Sequence, residues 1–178
     1  GISEQAMLDV AAGLALEDNK VFVYGMAPFL ALRSLEQTKC GAGLMNLPIC
    51  LLSVGIGLGY ADAGPTHYTT EDFACFRSIV GSSIYTPADS ISTKLIAKEL
   101  LEKPKFSYIR LDRDFLPNIS PEVTKADLNR GFKMFGNIDK DKIVLISHGR
   151  MLHKCLEIYN NKLNKFICVD ILRSKPFP

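Results

Sequence analysis

The sequence predicts an α/β fold, in which a parallel sheet flanked by helices is followed by part of a second α/β domain. Short apolar runs alternate along the chain with longer stretches whose apolar residues recur at helical spacing. Strands that alternate with helices imply a parallel sheet covered on both faces. The alternation breaks where Pro117, Asn118, Ser120 and Pro121 cluster. This break divides the chain into a first domain at 1–116, a linker at 117–130 and a second unit at 131–178.

The first domain is predicted to begin with a helix at 4–16 that Ser3 caps. Its apolar residues at helical spacing define one face: Met7, Val10, Ala11 and Leu14. A strand at 20–25 follows, and Pro28 then opens a helix at 28–43, because proline is tolerated in a first helical turn. The remaining elements are predicted as a strand at 47–54, a short helix at 70–76 capped by Thr70, a strand at 83–86, a helix at 88–101 and a strand at 106–111.

The second unit is predicted as a strand at 142–147, a turn at His148-Gly149, a helix at 151–163 and a strand at 166–172. This β-α-β unit is too short to close a core alone, so we expect it to be incomplete. A chain that opens on Gly-Ile-Ser-Glu without an initiator Met is likewise expected to be a piece of a longer one.

Composition excludes several classes of function. Of the 178 residues, 47% are hydrophobic and 22% are charged, which is typical of a globular protein with a sizeable core. A formal net charge of +2, without a block of like charges, does not indicate a surface that binds nucleic acid. No apolar run is long enough to span a bilayer. The five cysteines lack C-x-x-C spacing, which predicts buried, reduced thiols in a cytoplasmic protein.

The glycine-rich run at 55–59 could be read as a dinucleotide-binding turn. The full fingerprint requires a third glycine at position 60, where this chain has Tyr60. The sequence also lacks a Walker-type phosphate loop and a G-x-S-x-G elbow. A nucleotide site is therefore disfavoured.

The segment Gly-Pro-Thr-His at 64–67 is the most informative motif. Proline fixes one backbone dihedral and glycine permits the bend, so His67 is held on a turn. Loops that follow parallel strands are where α/β folds place their chemistry. Alone, His67 could be an ordinary loop histidine, and Glu4 an ordinary carboxylate in a first helical turn.

Four pieces in order resemble the transketolase family of thiamine diphosphate enzymes: Gly-Ile-Ser-Glu-Gln at 1–5, Pro-Phe-Leu at 28–30, Gly-Pro-Thr-His at 64–67 and Tyr-Thr-Pro-Ala-Asp at 85–89. The first 111 residues resemble the pyrimidine-binding domain without its first strand–helix unit. Residues 131–178 resemble the opening half of the transketolase C-terminal domain. The resemblance implies the thiamine diphosphate-binding fold.

The resemblance also implies roles for three residues. Glu4 is expected to face N1′ of the cofactor's aminopyrimidine and share a proton with it, which requires a carboxyl of tuned pKa. Phe29 is expected to supply the stacking surface for the aminopyrimidine; some relatives use an aromatic three residues later, where this chain has Leu32. His67 is expected over the reactive carbon and the substrate oxygens. His148 and His153 match no catalytic histidine, so we expect them to be structural or exposed.

Two further residues are implied in substrate binding. Transketolases carry an aspartate directly before the glycine of the Gly-Pro-Thr-His motif; here Ala63 takes that place, and Asp62 lies one residue earlier. Arg113 lies near the family's arginine for sugar phosphates or distal hydroxyls, a role that suits a guanidinium fork. A surface arginine at the start of a linker is the alternative for Arg113.

The sequence contains no Gly-Asp-Gly motif, which in this family holds Mg²⁺ and the cofactor diphosphate. We therefore expect this chain to bind thiamine diphosphate together with an N-terminal transketolase subunit that carries the diphosphate-binding domain. A domain deleted from a single long chain is the competing explanation. The expected activity is transfer of a two-carbon ketol unit between sugar or sugar phosphate substrates. Alternatives are deoxyxylulose phosphate synthesis, 2-oxo acid decarboxylation or a non-catalytic regulatory subunit.

Overall fold

The computed structural model describes residues 2–162 and 165–178, which contain eight strands in two sheets. The strands are β1 Val21–Met26, β2 Ile49–Val54, β3 Ser83–Tyr85, β4 Ser107–Leu111, β5 Phe132–Phe135, β6 Ile143–Ser147, β7 Phe166–Ile171 and β8 Arg173–Lys175. The α-helices in this part of the chain are α1 Glu4–Leu16, α2 Asp72–Ser78, α3 Ser90–Glu102, α4 Lys125–Arg130 and α5 Arg150–Asn161, apart from a single short turn at Leu35–Gln37. None of these described helices is both long and apolar enough to cross a membrane.

The first sheet has the strand order β1-β2-β4-β3-β8, in which β1, β2, β4 and β3 run parallel. The second sheet has the order β5-β7-β6, with β6 parallel to β7. The predicted α/β class with helices flanking a parallel sheet is therefore confirmed. Two antiparallel edge strands were not predicted: β8 pairs with β3, and β5 pairs with β7. β8 is Arg-Ser-Lys and has no apolar residue, and β5 is only four residues long, too short for its apolar residues to give a readable period.

The strand β8 ties the second unit to the first sheet. The backbone N–H of Thr86 donates to the Leu172 carbonyl at 3.0 Å, and its hydroxyl donates to the Ile171 carbonyl at 2.5 Å. The Lys175 ammonium donates to the carbonyls of Ile79 and Arg77 and to the hydroxyl of Ser82. The end of the described chain thus closes against the loop that precedes β3.

The helix α1 has the predicted bounds, but the predicted apolar face is partly wrong. Val10 and Leu14 are 62% and 48% exposed, whereas Leu8, Ala11 and Ala15 are buried. The helix is apolar on most of its circumference, so spacing alone does not decide which stripe is buried. Ser3 lies at the N-cap but its side chain makes no capping hydrogen bond.

The helix predicted at 28–43 is present as a sequence of mostly wide turns. They comprise π-helical turns at Pro28–Arg33 and Thr38–Leu44, joined by one α-helical turn at Leu35–Gln37. The Ser34 hydroxyl donates to the Leu30 carbonyl at 2.6 Å, which satisfies a carbonyl inside the buried side of this segment. Wide turns of this kind are frequent at functional sites.

Two predicted details of the helices need correction. Thr70 does not cap the short helix, because α2 begins two residues later and Glu71 is at its N-cap. The segment predicted as a linker contains α4, whose N-terminus is closed by reciprocal hydrogen bonds between Thr124 and Asp127. A helix of six residues is too short to give a readable apolar period. The predicted end of the last helix, at Leu163, lies outside the described residues.

The five cysteines are all free thiols, as predicted. Cys50 and Cys168 are buried, and burial raises their pKa to about 11 and about 12. Cys40 is exposed, so the prediction of burial is wrong for it. It lies within the wide turn at Thr38–Leu44, on the exposed side of that segment.

Candidate functional site

The carboxyl ends of three neighbouring parallel strands position the candidate site. Phe29 follows β1, the loop with His67 follows β2, and Arg113 follows β4. Because parallel strands end at the same edge of a sheet, these segments lie side by side. Glu4 enters from the first turn of α1.

The Glu4 carboxylate forms an ion pair with Arg33. Nη1 of Arg33 donates to Oε2 of Glu4 at 2.7 Å, and the side chains of Arg33 and Glu4 are 34% and 20% exposed, respectively. This hydrogen bond is the main reason that the pKa of Glu4 is lowered. The first turn of α1 thus presents an ionised carboxylate at the surface.

Arg33 also contacts Phe29, which lies four residues earlier in the same helical segment. Its guanidinium carbon is 4.4 Å from the centroid of the Phe29 ring, a cation–π distance. Phe29 in turn meets His67 edge-on, with ring centroids 5.2 Å apart and planes inclined at 74°. Glu4, Arg33, Phe29 and His67 therefore form one continuous row.

His67 ends a tight turn at Pro65–His67. The turn begins at Gly64, whose φ of 85° lies in the region that favours glycine. Nδ1 of His67 lies 3.0 Å from the Thr66 hydroxyl. At its base the loop is closed by two hydrogen bonds of 2.9 Å between Gly57 and Thr69. His67 is thus held on a turn, as the sequence predicts.

The row continues past His67 to the predicted substrate residues. The Tyr60 ring lies 6.5 Å from the His67 ring, and the Arg113 guanidinium carbon is 4.8 Å from the Tyr60 centroid. Nη1 of Arg113 donates to Asp62 Oδ1 at 2.5 Å and to the Gly59 carbonyl at 3.3 Å. This pairing lowers the pKa of Asp62 and raises the pKa of Arg113.

All five site residues predicted from the sequence lie along this row: Glu4, Phe29, His67, Asp62 and Arg113. Sequence reasoning missed the two residues that connect them, Arg33 and Tyr60. The only signals in the sequence were the placement of Arg33 four residues after Phe29, and of Tyr60 directly after the glycine run.

A buried ion pair anchors the end of the loop that carries His67. Asp72 is fully buried and accepts hydrogen bonds from Nε and Nη2 of Arg110, at 2.7 and 3.1 Å, and from the Tyr108 hydroxyl at 2.9 Å. The Arg110 guanidinium also lies 4.1 Å from the Phe73 ring centroid. These contacts fix the start of α2, and with it the end of the His67 loop, to β4.

The other two histidines lie away from the row. His148 packs edge-on against Phe73 at 5.3 Å, and its burial lowers its pKa. Nε2 of His153 is 2.8 Å from the Ala88 carbonyl. His148 also lines a cavity beside the loop, so a purely structural role for it stays a prediction.

The row lies on an open face. Glu4, Phe29 and His67 are each half-exposed, and Arg33 is exposed. A cavity of about 430 Å³ lies next to the loop and is lined by Gly57, Gly59, Arg110 and His148, among other residues. Within the same residues, no group of three or more His, Cys, Asp or Glu side chains is arranged to hold a metal ion. What this face offers chemically is a carboxylate, an aromatic surface, an imidazole and a paired arginine.

Comparisons of the sequence with known proteins identify the family. Residues 1–118 match the family model described as transketolase, pyrimidine binding domain. The chain is 36% identical over 119 residues to one of the subunits of the apulose-4-phosphate transketolase of Phocaeicola vulgatus, a match that covers 67% of this chain and 38% of that protein. The match therefore spans well under half of that relative.

Solved transketolases share the fold. Transketolase of Pichia stipitis in complex with sedoheptulose 7-phosphate superimposes with a TM-score of 0.86 at 21% identity, over 99% of this chain and 27% of that one. A structure described as split gene transketolase, inactive beta4 tetramer, gives a TM-score of 0.81 at 25% identity, over 98% of this chain and 56% of that one. By its sequence and its fold, this chain belongs to the transketolase family.

Proposed function

We propose that this chain is the C-terminal subunit of a thiamine diphosphate-dependent transketolase-type enzyme that transfers a two-carbon ketol unit between sugar or sugar phosphate substrates. The observation that carries the proposal is the row Glu4–Arg33–Phe29–His67, which aligns a carboxylate, an aromatic ring and an imidazole on one open face. The proposed domains are the pyrimidine-binding domain at 1–116, a linker at 117–130 and an incomplete C-terminal domain at 131–178. We also propose a cytoplasmic location.

The residues of the row fit an aminopyrimidine. A protonated ring nitrogen needs a carboxylate acceptor, which Glu4 supplies at the surface, and a flat heteroaromatic ring needs a stacking surface, which Phe29 supplies. When bound, thiamine diphosphate supplies the carbon that carries the two-carbon unit. Glu4 holds the proton at N1′, and Phe29 orients the ring. His67, beyond Phe29, is placed to donate hydrogen bonds to substrate oxygens.

Tyr60, Asp62 and Arg113 extend the row toward the distal end of the substrate. Arg113 and Asp62 together provide donors and acceptors for sugar hydroxyls, and the Arg113 guanidinium can also bind a phosphate. The Tyr60 ring separates this pair from His67. We propose that these residues select the sugar.

A second polypeptide completes the proposed site, because it supplies Mg²⁺ and the groups that hold the diphosphate. Magnesium takes oxygen ligands in near-octahedral geometry and is usually bound by carboxylates together with phosphates. The open position of Glu4 and the exposed apolar residues Val10 and Leu14 on its helix support a contact with another polypeptide here. The names of the relatives add support, since one is a single subunit of a transketolase and another is a split-gene transketolase whose beta4 tetramer is inactive.

The alternatives have less support. Deoxyxylulose phosphate synthesis and 2-oxo acid decarboxylation would use the same cofactor, but the relatives described above are transketolases. A purely regulatory subunit would not need Glu4, Phe29 and His67 on one face. Ketol transfer is therefore the function that we propose.

Calorimetry tests this proposal. The purified chain alone should bind thiamine diphosphate and Mg²⁺ weakly or not at all, because one side of the site orders too little of a flexible, highly charged ligand. With the polypeptide that carries the diphosphate-binding domain, magnesium-dependent binding and ketol transfer from a ketose donor should appear. Tight, magnesium-dependent binding by the chain alone would contradict the two-chain arrangement. A reconstituted pair that binds the cofactor but transfers no ketol unit, across a panel of ketose donors, would contradict the reaction.

A further inference from the structure

Arg33 links the two residues that the proposed function assigns to the aminopyrimidine. Its guanidinium donates to Glu4 at 2.7 Å and lies 4.4 Å from the centre of the Phe29 ring. One side chain therefore contacts both the acid and the stacking surface. Arg33 lies outside both the Gly-Ile-Ser-Glu-Gln motif that contains Glu4 and the Pro-Phe-Leu motif that contains Phe29.

The ion pair selects one oxygen of the Glu4 carboxylate. Oε2 accepts from Arg33, whereas Oε1 accepts no hydrogen bond from another side chain among the described residues. Arg33 thus fixes the orientation of the carboxylate and leaves the other oxygen for an incoming donor. A glutamate without such a partner rotates among several rotamers when it is partly exposed.

The pair also fixes the charge of Glu4. An arginine is protonated at every pH at which proteins fold, so it keeps the neighbouring carboxylate ionised to lower pH. An ionised carboxylate accepts a hydrogen bond and stabilises a proton on the group that it faces. The charges of Glu4 and Arg33 cancel, so the pair is neutral overall before a ligand arrives.

The contact with Phe29 is made within the helical segment at Pro28–Arg33, where the two residues lie four positions apart. The structure places the guanidinium over the aromatic ring, and the contact limits rotation of that ring. The phenyl ring is thereby held edge-on to His67.

We infer that Arg33 is a positioning residue, which orients the Glu4 carboxylate and the Phe29 ring for the aminopyrimidine; the inference rests on the proposed function. Partly exposed ion pairs add only about 0–1 kcal/mol to stability, so stability alone gives little reason for this pair. Its effect should appear in the titration of Glu4 and in the reaction, and hardly at all in folding.

The first test needs no cofactor. Carbon-13 NMR of the side-chain carboxyls in the isolated chain follows Glu4 as a function of pH, with Glu4→Gln used to assign its signal. In Arg33→Met the pKa of Glu4 should rise toward the ordinary range of a glutamate, and in Arg33→Lys it should rise less. Arg77→Met removes an exposed arginine from α2 and is the matched control; it should leave the titration unchanged.

The second test uses the assembled enzyme and measures deuterium exchange at C2 of bound thiamine diphosphate against pH. Arg33→Met should slow exchange by about 10- to 100-fold and move the acid side of the profile to higher pH, because Glu4 must be ionised to act. Arg33→Lys should restore part of the rate, and Arg77→Met should behave as the wild type.

The outcomes separate this inference from the proposed function. If Glu4→Gln abolishes exchange and Arg33→Met changes neither the titration nor the profile, the inference is wrong and the function stands. If Glu4→Gln leaves exchange unchanged, the proposed function fails, whatever the titration gives. Should Arg33→Met not fold, the wild-type titration still decides, because an ordinary glutamate pKa for Glu4 would overturn the inference.

Discussion

Gly55 lies directly beneath the aromatic ring of Tyr60: a β-carbon at position 55 would be 2.0 Å from Cε2 and 2.4 Å from Cδ2 of that ring. Gly55 also has a φ of 79°, a conformation that side chains rarely adopt. The missing side chain lets Tyr60 fold over the end of β2. From there its ring contacts both His67 and Arg113.

Gly55→Ala is therefore expected to destabilise the chain and to displace Tyr60. The left-handed backbone costs about 1–2 kcal/mol for a residue with a β-carbon, and the clash with the ring adds about 1–3 kcal/mol. Gly57→Ala is the matched control, since Gly57 also has a positive φ, of 60°, but has no atom within 4 Å of the added carbon. Urea denaturation of both variants checks the difference. Equal losses of stability would mean that the Tyr60 ring does not depend on Gly55.

The order of elements was predictable because the parallel strands of the first sheet contain short apolar runs, and β1, β2 and β3 are each followed by a helix or a glycine-rich turn. Glu4, Phe29 and His67 were predicted together because they lie in separate motifs whose order matches a family. The strand β8 could not be predicted, since its three residues carry no pattern and its pairing with β3 joins positions about 90 residues apart.

The connecting residues of the site were missed for a related reason. Arg33 and Tyr60 are ordinary residues in the sequence, and the contacts of Arg33 with Glu4 and of Tyr60 with His67 arise only when separate segments of the chain come together. Contacts across the tertiary structure are not encoded by the local spacing of residues. The same holds for Asp72, which pairs with Arg110 on a strand 38 positions away.

Glu4→Gln in the assembled enzyme is predicted to preserve folding and to lower turnover by about two to four orders of magnitude, the usual contribution of a positioned proton-transfer group. The amide keeps the size of the side chain but cannot be an ionised acceptor. Exchange at C2 of the cofactor should slow in parallel. Unchanged exchange would show that this carboxylate is only a charge at a helix end.

His67→Ala is predicted to reduce catalysis with substrate more than cofactor binding. His67 lies beyond Phe29 in the row, away from Glu4, so its loss leaves the proposed aminopyrimidine contacts in place. The value of kcat/KM should fall by about two orders of magnitude or more. Calorimetry and steady-state kinetics on the same preparation make the comparison. The assignment is wrong if cofactor affinity collapses while the rate per bound cofactor stays normal.

Asp72→Asn is predicted to destabilise the chain by about 3–5 kcal/mol, because it leaves the charge of Arg110 buried without its partner. Glu157→Gln is the control, since it breaks the exposed pair with Lys154 and should cost less than about 1 kcal/mol. Thermal denaturation of both variants at neutral pH measures the contrast. Similar melting temperatures would contradict the supporting role given to Asp72.

The last prediction concerns the pH dependence of stability and the Asp170 carboxyl on β7. Asp170 is 1% exposed, and neither of its oxygens has a hydrogen-bond partner among the described residues. Burial, helped by the nearby Asp89 carboxylate, raises the pKa of Asp170 from 3.8 to about 8. The folded chain then keeps a proton that the unfolded chain releases, so stability falls as the pH rises from about 4 to about 8, by at most about 1.4 kcal/mol per pH unit.

Asp170→Asn removes this dependence, so the stability of the variant relative to the wild type should increase steadily over that range and stay constant above it. Asp9→Asn, at an exposed position on α1, should give no such slope. Urea denaturation at pH 5, 6, 7 and 8 measures both variants against the wild type, and a difference for Asp170→Asn that is the same at all four values would show that this carboxyl is ionised in the folded chain.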